Sequence, residues 1–263
     1  MILVDAHCHL THDQFKGKLD ELIERSKKAG VKAIIANGVN HINNQEVLAL
    51  SKKYDIVKPA LGLYPIDALG IQIDALDEVG ITKDKNVDVD KTLSFIEEHK
   101  KEIVAIGEVG LDFKFLKDYE KQQRENFQKV IDLAEKIKKP IIIHSRCAEE
   151  AVVEMLESSK LKNVVMHCFS GKKQLVRRGA DNGWTFTIPS VVKRLKHFEM
   201  VIKLVNINQL LTETDAPWLT PELGRYSEPA DVIESIKKIS EIKKFDVEET
   251  ANSIFMNYQR MFT

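Results

Sequence analysis

A chain of 263 residues, 43% hydrophobic and 30% charged, can bury a sizeable core in one large domain or two small ones. Its 39 basic and 40 acidic residues leave a formal net charge of -1, which excludes bulk electrostatic gripping of nucleic acid but leaves room for a local basic groove. No run approaches the roughly 18 apolar residues of a membrane span, MILVDAHCHL lacks the features of a secretory signal, and three cysteines (Cys8, Cys147, Cys168) make no disulfide framework. The expectation is a cytoplasmic globular protein with no membrane contact and no obligate protein partner.

Apolar, β-branched runs then alternate with charged amphipathic stretches. ILVDAH starts at Ile2 and is followed by LDELIERSKKAG, a predicted helix ending at Gly30, a favourable C′ residue. VKAIIAN begins at Val31 and IVKPALGL at Ile56. From about Tyr64 to Val89 the chain is irregular, with Gly70, Gly80 and several aspartates. A βα loop that long is read as functional rather than as a linker. TLSFIEEHKKE precedes IVAIGEVG at Ile103, and ENFQKVIDLAEKIKK stops at Pro140, where PIIIHS begins. AEEAVVEMLESSK leads to NVVMHC at Asn163, and WTFTIP and LLTETD start at Trp184 and Leu210. PADVIESIKKISEIKK, with Pro229 in its first turn, and VEETANSIFMNYQRMF close the chain as helices. Eight such runs suit parallel strands covered on both faces. Their alternation with helices predicts an α/β (β/α)8 TIM barrel over residues 1–263 as one domain. A doubly wound open sheet is the rival, but it would carry a Gly-rich phosphate loop, and no GxGxxG or Walker-type sequence occurs.

Barrel active sites lie at the C-terminal ends of strands. The first run ends in Asp5-Ala6-His7-Cys8-His9, and alternation turns His7 and His9 to one face. The fourth ends in Glu108, followed by Gly110 and Asp112, and the fifth, sixth and eighth end at His144, His167 and Asp215. Alone, a histidine here is more often hydrogen-bonded core than a ligand, and a carboxylate is as well explained by helix capping. Together, six ligand-type side chains on one barrel face are costly to bury without a metal, and imidazoles suit zinc, manganese or iron. One open zinc site needs only three protein ligands. Six serve two ions if one carboxylate is shared, a standard arrangement for phosphate ester hydrolysis. Glu108, between the strand-one pair and the strand-five and strand-six histidines, is the candidate bridge.

The ordered motifs DAHCHL, GEVGLDF, IIHSR, HCFSG and LTETDAPWLTP, with Asn257-x-x-Arg260-Met261-Phe262 at the end, closely resemble the TatD-type metal-dependent deoxyribonucleases of the amidohydrolase superfamily. The resemblance implies a metallo-dependent hydrolase barrel with His7, His9, Glu108, His144, His167 and Asp215 as ligands to one or two divalent ions. It further implies that Glu108 bridges and that Asp215 also serves as general base. Two departures stand out: Gly62-Leu63-Tyr64-Pro65 replaces the family's Gly-x-His-Pro, and Leu223-Gly224-Arg225-Tyr226-Ser227-Glu228-Pro229 replaces its basic Gly-Lys stretch. Tyr64 can donate a hydrogen bond but cannot shuttle a proton near neutrality as histidine can.

Other mouth residues carry two readings each. Arg146, two past His144, can hold a phosphate oxygen or pair within its loop. Ser170 either binds an anion at a helix start or caps it. Glu213, two before Asp215, either orients a water or pairs with a nearby cation. Trp218, Phe113 and Phe169 can stack on bases or pack, and Arg225 can contact phosphate or remain a solvated loop charge. Cys8 and Cys168 face away from the ligands as packing residues. Lysine pairs such as Lys27-Lys28 and Lys243-Lys244 suit helix C-termini rather than a DNA track. The reading that follows is a deoxyribonuclease with two divalent cations (Mg2+, Mn2+ or Zn2+) acting on single-stranded DNA or strand ends. The alternatives are a metal-dependent ester or amide hydrolase, such as an aminoacyl-tRNA deacylase, and a scaffold with structural metals.

Overall fold

A computed structural model describes residues 1–70 and 87–263. Its eight strands are β1 (Leu3–Cys8), β2 (Val31–Asn37), β3 (Val57–Leu63), β4 (Ala105–Gly110), β5 (Ile141–His144), β6 (Val164–Met166), β7 (Thr185–Pro189) and β8 (Leu210–Glu213). They lie in the order of the chain, and every hydrogen-bonded neighbour pair is parallel. This is the expected barrel, and each strand falls within or beside its apolar run. β8 and β1 share no continuous ladder. They are joined by Thr212 Oγ1 donating to the Val4 carbonyl (2.6 Å), the Asp215 N–H to that of His7 (2.9 Å) and the His9 N–H to that of Ala216 (2.9 Å).

The helices between strands include α1 (Leu19–Ala29), α2 (His41–Lys53), α3 (Val89–Glu98), α4 (Phe113–Leu116) and α5 (Glu120–Ile137). After β5 come α6 (Glu149–Glu157), α7 (Lys173–Asp181), α8 (His197–Leu204), α9 (Val232–Lys243) and α10 (Val247–Phe262). The longer ones each bury one stripe. In α5, Phe127, Val130, Ile131 and Ala134 recur at helical spacing and are all nearly inaccessible. Burying each larger one is worth about 2 kcal/mol. Gly30 ends α1 in the left-handed region expected of a C′ residue (φ 96°), and Pro229 opens a short 3-10 turn that leads into α9.

The strand ends are placed by close backbone approach. A side chain at Gly62 would put its Cβ 2.3 Å from the Glu108 nitrogen, so only glycine lets β3 lie this near β4. Pairing of β4 slips register between Ile106 and Val109 against both neighbours. Such a bulge re-aims a side chain, here that of Glu108. Most of the long loop expected from about Tyr64 to Val89 lies outside the described residues. Its start turns through a 3-10 segment, Asp67–Leu69. Among the described residues no helix is long and apolar enough to cross a membrane.

Candidate metal centre

His7, in β1, and His9, just past it, are buried, with Nε2 atoms 3.1 Å apart. Asp215 stands two residues beyond β8 with left-handed backbone (φ 55°), a geometry that costs a non-glycine residue of order 1–3 kcal/mol. The hydrogen bond to the His7 carbonyl holds it there and brings Oδ1 to 3.6 Å from His7 Nε2 and 3.4 Å from His9 Nε2.

Glu108 faces two ways. Its Oε2 is 3.4 Å from Nε2 of both His7 and His9, while Oε1 is 2.7 Å from His144 Nδ1 and 3.8 Å from His167 Nε2. The His167 ring stacks on that of His7 at 3.6 Å. All six expected ligands are therefore brought together, from five strands and their ends.

Three buried carboxylates outside that set hold it in place. Fully buried Glu213 accepts from His167 Nδ1 (2.7 Å) and from the Cys168 N–H (3.0 Å). Its side-chain contacts run to a histidine and a backbone amide. Asp112 does the same for His144, with Oδ2 3.0 Å from Nε2. A carboxylate behind an imidazole fixes its tautomer and raises its basicity. Asp5 ties β1 to β8 beneath the site, accepting from Thr214 Oγ1 (2.6 Å), the Thr214 N–H (3.0 Å) and the His7 N–H (3.3 Å). Asp112 and Asp5 are not among the site residues expected from sequence. Their signal was position inside GEVGLDF and DAHCHL, but what they touch depends on distant strands.

Burial would raise the carboxyls of Glu108 and Asp215, yet the surrounding histidines outweigh it and hold both below their ordinary range, Glu108 well below. Burial likewise opposes charge on His9 and His167. Bonds to Asp215 and Glu108 nevertheless raise His9 to about 9, and Glu213 pushes His167 up to about 10. Protons thus supply the positive charge that these carboxylates demand.

The donor set fits divalent cations. Three overlapping trios bring their ligand atoms within 4.8 Å of one another: His7, His9 and Glu108; His7, His167 and Asp215; Glu108, His144 and His167. His7 turns Nε2 to this cluster, while its buried Nδ1 has no hydrogen-bond partner. Mixed imidazole and carboxylate donors suit first-row divalent ions.

The remaining expected residues divide. Arg146 lies beside His144, a third of its side chain exposed, with Nε 2.8 Å from Asp112 Oδ2. Tyr64 is 2% exposed, and its hydroxyl donates to Asp112 Oδ2 (3.1 Å). Trp218 sits part-buried at the rim, edge-on to His9 and His12 at 5.0 Å each. Ser170 neither caps nor opens a helix, a correction to both expectations. The helix starts only at Lys173, and the exposed Ser170 hydroxyl donates to Glu149 (2.8 Å). Arg225 is a loop ion pair, not a solvated charge, bound to both oxygens of Asp231 at 2.7 Å each. Phe169 is buried against Phe186, so it packs. Cys8 is buried as expected.

Comparison with known proteins agrees with this geometry. The family model described as TatD related DNase matches residues 4–263. Deoxyribonuclease TATDN3 of Homo sapiens is 31% identical over 99% of this chain and 94% of its own length. The uncharacterized metal-dependent hydrolase YabD of Bacillus subtilis is 33% identical over 99% of each chain. Among solved structures, the TatD homologue YJJV of Escherichia coli superposes with a TM-score of 0.85 at 25% identity, covering 99% of this chain and 97% of that one. A barrel with this cluster, matched from end to end, belongs to the TatD-related DNase family.

Proposed function

We propose that this TatD-family metal-dependent hydrolase is a deoxyribonuclease whose centre holds two divalent ions, Mg2+, Mn2+ or Zn2+, shared across Glu108. One observation carries the reading: the two oxygens of Glu108 serve different histidine sets, Oε2 the β1 pair and Oε1 the pair from β5 and β6. His7, His9 and Asp215 would hold one ion, and His144 and His167 the other. Bound there, such ions offset charge on a phosphodiester and lower the pKa of a water toward neutrality.

The chain's own groups supply the rest. Asp215 is held ionised, and 16% of its side chain is exposed, so it can accept a proton from the attacking water. Glu213 and Asp5 are fully buried and cannot reach that water. Arg146 would take a non-bridging phosphate oxygen beside His144. Trp218 offers a rim surface for a base, worth about 1–3 kcal/mol. A net charge of -1 suits a strand end or short single strand better than a long duplex. Free cysteines fit a reducing, cytoplasmic setting.

The test is a panel of labelled single-stranded DNA, duplex DNA, aminoacyl-tRNA and simple esters, stripped with EDTA and then resupplied with each ion. Nucleotides should be released from single strands only with an ion present. Asp215→Asn should slow release by about 100- to 10,000-fold with the fold intact. Inert DNA beside ester turnover would overturn the nuclease reading, and full activity in the Asn variant would overturn the role of Asp215.

A further inference from the structure

Tyr64 stands where the family's motif has a histidine, but at 2% exposure its ring is closed off from the mouth. It is fixed on all sides. Its N–H donates to the Val39 carbonyl (2.7 Å), its carbonyl accepts from Ala68 (3.0 Å), and its ring meets that of His144 edge-on at 4.9 Å. What remains is the hydroxyl, which donates to Asp112 Oδ2 (3.1 Å) and accepts from an Arg146 guanidinium nitrogen (3.2 Å).

The need for that acceptor follows from crowding at one atom. Asp112 Oδ2 receives His144 Nε2 at 3.0 Å, Arg146 nitrogens at 2.8 and 2.7 Å, and the Tyr64 hydroxyl. A carboxylate oxygen has two lone pairs, so these donors must share it. The Tyr64 oxygen gives Arg146 an acceptor off that crowded atom. Phenylalanine would keep the ring and remove this acceptor, so the guanidinium would press harder on the Asp112 oxygen that His144 also uses.

We propose that Tyr64 is a positioning residue whose buried hydroxyl, with Asp112, fixes the Arg146 guanidinium beside His144 so that it meets a phosphate oxygen of the substrate. This rests on the phosphodiesterase reading for its purpose, but not for its measurement. The probe is inorganic phosphate, titrated calorimetrically into Mn2+-loaded protein: wild type, Tyr64→Phe, Arg146→Ala and the double variant. Tyr64→Phe should weaken phosphate binding about three- to tenfold, the share of one hydrogen bond, and leave Mn2+ affinity unchanged. Arg146→Ala should weaken it further, and the double variant should match Arg146→Ala, because the hydroxyl acts only through the arginine. With DNA, the same loss should appear in KM rather than kcat. Wild-type phosphate affinity in Tyr64→Phe would overturn the proposal. So would full additivity in the double variant, a fall in Mn2+ affinity alone, or loaded wild type that binds no phosphate. Failure of the wild type to cut DNA would instead sink the nuclease reading and leave the phosphate cycle readable.

Discussion

His167 reaches the cluster with Nε2 only because Glu213 occupies Nδ1 from behind, and both are sealed from water. Glu213→Gln would present an amide that cannot serve both the imidazole and the Cys168 N–H as the carboxylate does. Mn2+ affinity measured by calorimetry should fall about 10- to 100-fold, the usual cost of losing such a partner. Unchanged affinity would show that the His167 ring is fixed by something else. The six ligand-type residues were legible because strand alternation and the barrel rule each act locally, placing His7, His9, Glu108, His144, His167 and Asp215 without knowledge of neighbours. Asp112 and Glu213 were half legible: visible as carboxylates near the strand ends, silent about their partners. The ion pair of Arg225 was silent for the same reason, since its partner Asp231 lies in an adjoining turn.

At the scale of elements, the junction between β8 and β1 lacks a continuous ladder, and Asp5 adds side-chain bonds to the few backbone ones. Asp5→Ala would strand buried donors of Thr214 and His7, each costing about 1–3 kcal/mol. Urea unfolding should therefore show a loss of about 3 kcal/mol or more, and a loss below about 1 kcal/mol would mean that the seam does not depend on Asp5. Helix α10 adds a pH dependence. Burial pushes the Tyr258 phenol up to about 12 from an ordinary value of 10.0. A raised value means stability fully present below pH 10 and lost as pH climbs toward 12, because only the unfolded chain ionises freely. Tyr258→Phe should make that alkaline decline shallower in melts taken between those limits; an unchanged slope would remove Tyr258 from the cause. The strands were legible because burial on both faces leaves compact β-branched runs. Helices α2, α7 and α8 went unread individually: α2 opens on His-Ile-Asn-Asn, α7 carries Gly179, and α8 has only eight residues. Only the closing of the sheet around them implied helices there.

For the whole molecule, two dications would move the formal charge from -1 to about +3, concentrated at one mouth of the barrel. Composition alone misses the attraction for phosphate that follows. Any ion held only by the folded state also stabilises it: Mn2+ at 100 times its Kd should add about 2.7 kcal/mol, read as a higher Tm that EDTA reverses. A Tm indifferent to Mn2+ would count against a preformed centre. The location of the centre has a mechanical consequence. His7 and His9 leave one side of the seam and Asp215 the other. An ion held by them would therefore staple the strand junction where backbone pairing narrows to a single bridge, Cys8 to Ala216, and deuterium should enter the Asp215 and His9 amides more slowly once it is bound. The same few atoms that attract a phosphate would then keep the barrel from opening along its edge.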